Sequence, residues 1–127
     1  MPRGRRCEAL IELVDLHPTL SELAGLPIHS GAEGESFAGN VRDPDAPGQE
    51  VAISQYPKGG YMGYSIRTKT HRYTEWRPLK GNTQNAAFRE LYAYGSDGIE
   101  RVNLADRPEH EAIQASLRQR LRSEMAR

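Results

Sequence analysis

Aromatic and basic side chains alternate through the middle of this 127-residue chain: Ser54-Gln55-Tyr56-Pro57, then Gly63-Tyr64-Ser65-Ile66-Arg67-Thr68, then Arg72-Tyr73-Thr74-Glu75-Trp76. Such a block can stack flat rings on bases or sugars. The same residues suit a β-hairpin in which the Tyr and Trp rings pack the sheet while Arg67, Arg72 and Glu75 pair across strands. The hairpin reading needs no further assumption, and spacing alone favours it.

The other residues able to do chemistry are scattered. His17, His29, His71 and His110 lie far apart without metal-ligand spacing, so each reads as a surface or packed histidine. Asp43 and Asp45 could offer carboxylates to a cation. With Pro44 between them they fit a turn better, because hard cations need six or more oxygens from a shaped loop. Cys7 is the only cysteine, which excludes a disulfide framework and a Cys-based zinc site within the chain. Its expected role is that of a small, partly buried residue. HExxH, a Gly-rich phosphate loop between strand and helix, and a Gly-x-Ser-x-Gly elbow do not occur. No catalytic or metal-binding residue is assigned.

Seventeen Lys and Arg balance seventeen Asp and Glu, leaving no overall field to draw in nucleic acid or an acidic membrane surface. Arg3, Arg5 and Arg6 form a short basic cluster that reads as a solvated end. No apolar run approaches the roughly 18 residues of a membrane span. No signal peptide is visible, since Glu8, Glu12 and Asp15 interrupt any apolar run after those arginines. A chain beginning mid-protein would have lost one, and the compartment stays open.

The elements that must position these residues follow from pattern. Ala9 to Val14 is a short apolar run suited to a buried strand, and Asp15 to Gly25 reads as a helix start and stop with Pro18 in the first turn. Leu16, Leu20, Leu23 and Ala24 fall at helical spacing, and Asp15 favours the positive end of the helix dipole. Residues 28–50 read as a long surface loop anchored by Ser36-Phe37. Loops of that length are uncommon unless they lie over another surface. Strands are expected at 51–56, 61–68, 71–76 and 90–94, with a hairpin at Lys69-Thr70 and a turn at Gly95-Ser96-Asp97-Gly98. Alternation sets Met62, Tyr64, Ile66 and Thr68 on one face and Gly63, Ser65 and Arg67 on the other. Asp106, three residues before Glu109, reads as a capping box opening an amphipathic helix over 108–126. That helix runs to about Arg127 with Ala112, Ile113, Leu117, Leu121 and Met125 on its apolar face. The fold class is α+β: an antiparallel sheet of three to four strands with a C-terminal helix.

The wording of these segments resembles the sulfatase family. Glu12-Leu13-Val14-Asp15-Leu16-His17-Pro18-Thr19-Leu20 and Leu23-Ala24-Gly25-Leu26 are similar to the strand–helix segment that opens the C-terminal region of sulfatases. Gly34-Glu35-Ser36-Phe37 resembles the stretch that follows. Ser54 to Pro57, Met62 to Thr68 and Tyr73 to Trp76 resemble the hairpin block of iduronate-2-sulfatase-like members. Glu90-Leu91-Tyr92 and Val102-Asn103-Leu104-Ala105 resemble the closing motif before the last helix. Where family members commonly carry an acid and a Pro, this chain has Ala93 and Gly98.

The resemblance implies the C-terminal subdomain of an alkaline-phosphatase-like fold over 1–127: strand–helix 9–25, loop 28–50, sheet 51–94 and helix 108–126. Its partner would be an N-terminal catalytic α/β domain holding the formylglycine, the calcium and their ligands. Cys7 is followed by Glu8-Ala9-Leu10-Ile11, without the Pro/Ala and Arg of the formylglycine motif, so the resemblance assigns no catalytic or metal residue here. It directs attention to Arg67, Tyr64 and Tyr61 as a substrate-cleft wall or domain interface, against which stands an Arg67–Glu75 cross-strand bridge. Parent enzymes are often periplasmic, secreted or lysosomal. The competing reading is a stand-alone binding module. An exposed apolar patch along 9–14 and 16–24 would favour the fragment, and a polar surface there the module.

Overall fold

The computed structural model describes residues 4–95 and 98–126. Arg3, the Ser96-Asp97 pair of the expected turn and the final Arg127 lie outside the described residues. The chain divides into two compact units, Met1–Ala52 and Ile53–Arg127.

The first unit is built around one short helix. A 3-10 turn at Leu13–Asp15 leads into α1, Leu16–Leu23. Pro18 sits in the first turn of α1, where its missing N–H costs no intrahelical bond. Gly25, at φ 69°, ends the helix in the left-handed region. The amides of Gly25 and Leu26 donate back to the carbonyls of Glu22 and Ser21, which is the paired closure such a glycine permits. The expected strand at Ala9–Val14 is not formed. Only a single bridge, Leu10 to Gln49, marks it, because a strand needs a ladder and the described residues supply one rung. The loop that follows contains a second helix, α2, Ala38–Arg42, with Ala38 fully buried. Asn40 holds the return of the chain by donating from Nδ2 to the Ala46 carbonyl at 2.8 Å.

The second unit is a four-stranded sheet in the order β1-β2-β3-β4, with β1 at Ala52–Lys58, β2 at Tyr61–Arg67, β3 at His71–Pro78 and β4 at Phe88–Ala93. The β2–β3 hairpin turns at Lys69-Thr70 without Asn-Gly. Thr68 closes it instead, its N–H donating to the His71 carbonyl and its Oγ1 accepting from the His71 N–H. Strand pairing sets Tyr61 opposite Pro78, Gly63 opposite Trp76 and Arg67 opposite Arg72. A helix, α3 at Glu111–Glu124, packs on β2 and β3. Leu117 and Leu121 from α3 are buried with Ile66, Tyr73 and Leu91, forming the core of this unit.

The chain enters α3 through a 3-10 turn at Pro108–His110, and no side-chain cap is made at either helix start. The expected Asp106 capping box is therefore absent: the Pro-led turn ties the His110 amide to the Arg107 carbonyl and the Arg107 amide to that of Leu104. The outer edge of β4 is closed by a side chain. Asn103 Oδ1 accepts from the amides of Leu91 and Ala105, its Nδ2 donates to the Arg89 carbonyl, and the Leu104 amide bonds the Leu91 carbonyl. One residue thus does the work of a fifth strand and blunts the edge.

Candidate functional site

Register sorts the sheet into two faces. Met62, Tyr64 and Ile66 share one face with Tyr73, Glu75, Arg77 and Leu91, and this is the face under α3. Tyr61, Gly63, Ser65 and Arg67 share the second face with Arg72, Thr74, Trp76, Phe88, Glu90 and Tyr92. The alternation read for β2 is the one observed. It also separates the three residues singled out above, since Tyr64 lies on the helix face and Tyr61 and Arg67 on the other. Tyr61 and Arg67 stand six residues apart, about 20 Å along a strand.

The second face carries a chain of rings and charges. Arg67 is exposed, and its guanidinium lies 4.5 Å from the centre of the Tyr94 ring. The Tyr94 hydroxyl donates to Glu100 Oε1 at 2.8 Å, and Arg72 Nε donates to the same oxygen at 2.8 Å. Arg72 also stacks 5.3 Å over Tyr92, and Glu90 accepts from Trp76 Nε1 at 2.9 Å. Burial raises the pKa of Glu100, but the Arg72 and Tyr94 hydrogen bonds together outweigh it and leave the carboxyl below its usual range. Burial, reinforced by the bond to Glu100, pushes the Tyr94 phenol upward. Gly63 lets the Trp76 ring lie flat against β2, since a Cβ there would stand 2.9 Å from the ring. At the far end Tyr61 and Phe88 meet edge to face, 5.3 Å between centroids.

The expected Arg67–Glu75 bridge does not exist. Glu75 lies opposite Tyr64, on the face turned from Arg67, and is fully buried. It accepts from the Tyr73 hydroxyl at 2.9 Å and from Arg77 Nη2 at 2.8 Å, while the Arg77 guanidinium stacks 4.8 Å over Tyr64. Tyr64 thereby belongs to a buried ionic cluster. Arg72 pairs with Glu100, beyond the hairpin, and Arg67 faces Arg72, a like-charge pairing that Glu100 and the two tyrosine rings offset.

The remaining candidates fall as follows. Asp45 bonds Arg5 at 2.7 Å and its amide donates to Asp43 Oδ1, so Asp43-Pro44-Asp45 is a turn. Cys7 is exposed rather than partly buried. His71 Nδ1 lies 2.9 Å from Thr70 Oγ1. His17 and His29 both line a shallow cavity of ≈ 350 Å³ with Val14, Gly31, Ala32 and Glu33. Among the described residues no three His, Cys, Asp or Glu side chains are placed to hold a metal ion.

Sequence reasoning missed Asp15. An acid just before a helix reads as a dipole partner, yet this one makes no side-chain cap to α1 and is almost fully buried. Oδ2 accepts from the Glu12 amide at 2.8 Å and from Gln49 Nε2 at 3.0 Å, and Oδ1 accepts from the Glu35 amide at 2.8 Å. Thr19 continues the seam, its Oγ1 accepting from the Phe37 amide at 3.0 Å. Ser36 donates to Glu22 at 2.6 Å, which with Arg42 lowers the Glu22 pKa. Gly34 is required because a Cβ there would meet the Val14 carbonyl at 2.3 Å. The segments 12–20 and 34–37, separate words in the sequence, are two halves of one hydrogen-bonded device.

No family model matches the chain. It is similar to iduronate 2-sulfatase of Mus musculus, 31% identical over a 159-residue alignment taking in 93% of this chain and 29% of that protein. The Homo sapiens iduronate 2-sulfatase is 32% identical over 82% of this chain and 26% of its own length. A solved Bacteroides thetaiotaomicron structure assigned to the sulfatases superposes with TM-score 0.70 at 29% identity, covering 88% of this chain and 24% of that one. The chain belongs to the sulfatase family. It corresponds to the family's C-terminal region, with the sheet and terminal helix of the sulfatase C-terminal subdomain. A second structure, solved with its substrate D-glucosamine-2-N,6-O-disulfate, shares the fold at TM-score 0.70 and 21% identity. This sulfatase region spans 19–29% of the length of the curated relatives it matches. Gly98 has φ 66°, in the left-handed region that a proline cannot adopt.

Proposed function

We propose that residues 1–127 act as the non-catalytic supporting region of a sulfatase, and that the sheet face bearing Arg67 lines the cleft in which a catalytic α/β domain binds a sulfated sugar. The observation that carries this reading is Arg67 itself. It is an exposed cation whose plane is set by the Tyr94 ring, with Tyr94 in turn fixed by the Glu100–Arg72 pair. A guanidinium held in one orientation presents a planar fork of donors to a sulfate or carboxylate.

The chemistry of sulfate-ester cleavage does not fit these residues. Cys7 is followed by Glu8-Ala9-Leu10-Ile11. Ser30 and Ser36 have Ala32 and Ala38 two places on, but Gly34 and Asn40 where the formylglycine motif has Arg. Among the described residues, no three His, Cys, Asp or Glu side chains are grouped to hold a metal ion. The nucleophile and metal belong to the catalytic domain, and this region contributes binding and support.

The test is reconstitution. The chain alone, with calcium, gives no turnover of sulfated uronate or glucosamine substrates. Mixed with a sulfatase catalytic region lacking its own counterpart of these residues, it restores turnover. Arg67→Ala in the mixture lowers kcat/KM about tenfold or more, mostly through KM, as loss of one charged hydrogen bond to bound substrate requires. Turnover by the chain alone overturns the reading, and so does an Arg67→Ala mixture that matches wild type.

A further inference from the structure

Three rings gather at the end of the second sheet face farthest from Arg67. Tyr61 opens β2, Phe88 opens β4, and Trp76 on β3 stands in register between Gly63 and Phe88. Tyr61 and Phe88 meet edge to face at 5.3 Å, and Gly63 leaves room for the Trp76 ring. In a core such a cluster would be ordinary packing, but Phe88 is 58% exposed. The segments 57–60 and 78–87 frame the rings and are tied together by the Leu79 amide, which donates to the Gly60 carbonyl at 2.9 Å. They hold Lys58 and Lys80, both exposed, and no Asp or Glu, in a chain whose charges balance overall. Exposed Asn82, Gln84 and Asn85 add amides that donate and accept. Glu90, on the same face, already accepts from Trp76 Nε1. Each group matches a part of an acidic sugar: an aromatic ring for the C–H face of a pyranose, amides for hydroxyls, an ammonium for sulfate or carboxylate.

We propose that Tyr61, Trp76 and Phe88, with Lys58 and Lys80, form a second glycan subsite that takes a sugar of a sulfated oligosaccharide remote from the one at Arg67. The inference rests on the proposed function for the sulfated class of the sugar and adds a requirement of length. Arg67 stands about 20 Å away along β2, farther than one sugar ring reaches, so only an oligosaccharide touches both. A polyanion without sugar rings would answer to the lysines alone, and that alternative is one outcome of the test.

The probes are a sulfated octasaccharide of alternating uronate and glucosamine, the same octasaccharide desulfated, and linear polyphosphate, each titrated into the full chain by calorimetry. The wild-type chain binds the sulfated octasaccharide, and the desulfated one about tenfold more weakly, as loss of charged contacts requires. Phe88→Ala weakens octasaccharide binding about tenfold, the scale of one lost ring stack, and Phe88→Tyr, which keeps a ring, restores it. Lys58→Gln/Lys80→Gln weakens it about as much at physiological salt, and the difference disappears at about 1 M salt. Circular dichroism and urea unfolding check that the variants fold as wild type does. Unchanged binding by Phe88→Ala overturns the inference, as does equal binding of the desulfated probe, no binding at all, or polyphosphate bound as tightly and indifferent to Phe88. Turnover in the reconstituted mixture separates the two claims. Phe88→Ala raises KM more for the octasaccharide than for a disaccharide, whereas Arg67→Ala raises both alike. A mixture without turnover, with octasaccharide binding that still depends on Phe88, sinks the proposed function and leaves the subsite. An Arg67 effect on KM without any Phe88 effect does the reverse.

Discussion

Asp15 joins three stretches of chain through one carboxylate: the turn before α1, the 34–37 stretch and Gln49. Its replacement by Ala leaves two backbone amides and a side-chain amide without their charged acceptor in a site closed to water. Asp15→Ala is expected to cost about 3–4 kcal/mol, read from urea unfolding, with the Glu35 and Phe37 amides losing hydrogen-exchange protection. Asp15→Asn, which keeps an acceptor oxygen, loses less. A loss below about 0.5 kcal/mol for Asp15→Ala would show that the seam is held elsewhere. The sequence did not disclose this role, because an acid just before a helix is ordinarily a cap or dipole partner. Its partners lie 20 and 34 residues further on, beyond the reach of any local pattern. Arg67 illustrates a different limit. Its face followed from alternation, but the pairing with Glu75 required the register, and the register set Arg67 against Arg72.

Elements built on strict periodicity were legible. The α3 stripe and the two faces of β2 came from spacings of 3.6 and 2, and the Leu117, Leu121, Ile66 and Tyr73 core bears them out. The α1 stripe was equally plain, yet periodicity says which side of a helix is apolar and not where the apolar partner stands. The strand expected at 9–14 failed for the same reason, since a buried strand is defined by neighbours. Edge protection of β4 had no periodic signal at all, because a single asparagine provides it. Asn103→Ala removes the acceptor for Leu91 and Ala105 and the donor to Arg89, and about 1–2 kcal/mol of stability with them. Loss of protection at the Leu91 amide, with α3 unchanged, is the signature. Wild-type exchange at that amide would rule out the clip.

Acid should weaken the molecule in two stages with distinct causes. Burial, then the nearby His110, lowers the His71 pKa below 6.5, so the unfolded chain takes up that proton first. Stability is complete above about pH 6.5 and falls as pH drops toward the lowered folded value. Glu100, held below 4.5 in the fold against the upward push of burial, contributes stability above that value that is lost as pH falls through its folded pKa. Urea midpoints measured from pH 8 to pH 3 should therefore decline first near 6.5 and again below 4.5. His71→Gln removes the first decline and leaves the second, and an unchanged upper limb in that variant would assign it to another group. The division into two units had only an indirect trace in the sequence, as the Gly- and Pro-rich stretch before residue 51.

The Asp15 seam also sets an order on synthesis. Gln49 emerges from the ribosome 34 residues after Asp15, an interval of about 2–7 s at ordinary elongation rates. Through that interval the carboxylate has no Gln49 to hold, and the helix beside it shows Leu16 and Leu20 to the surroundings. A slow codon stretch between the two residues would lengthen the time for which the 12–20 segment lacks its distant donor.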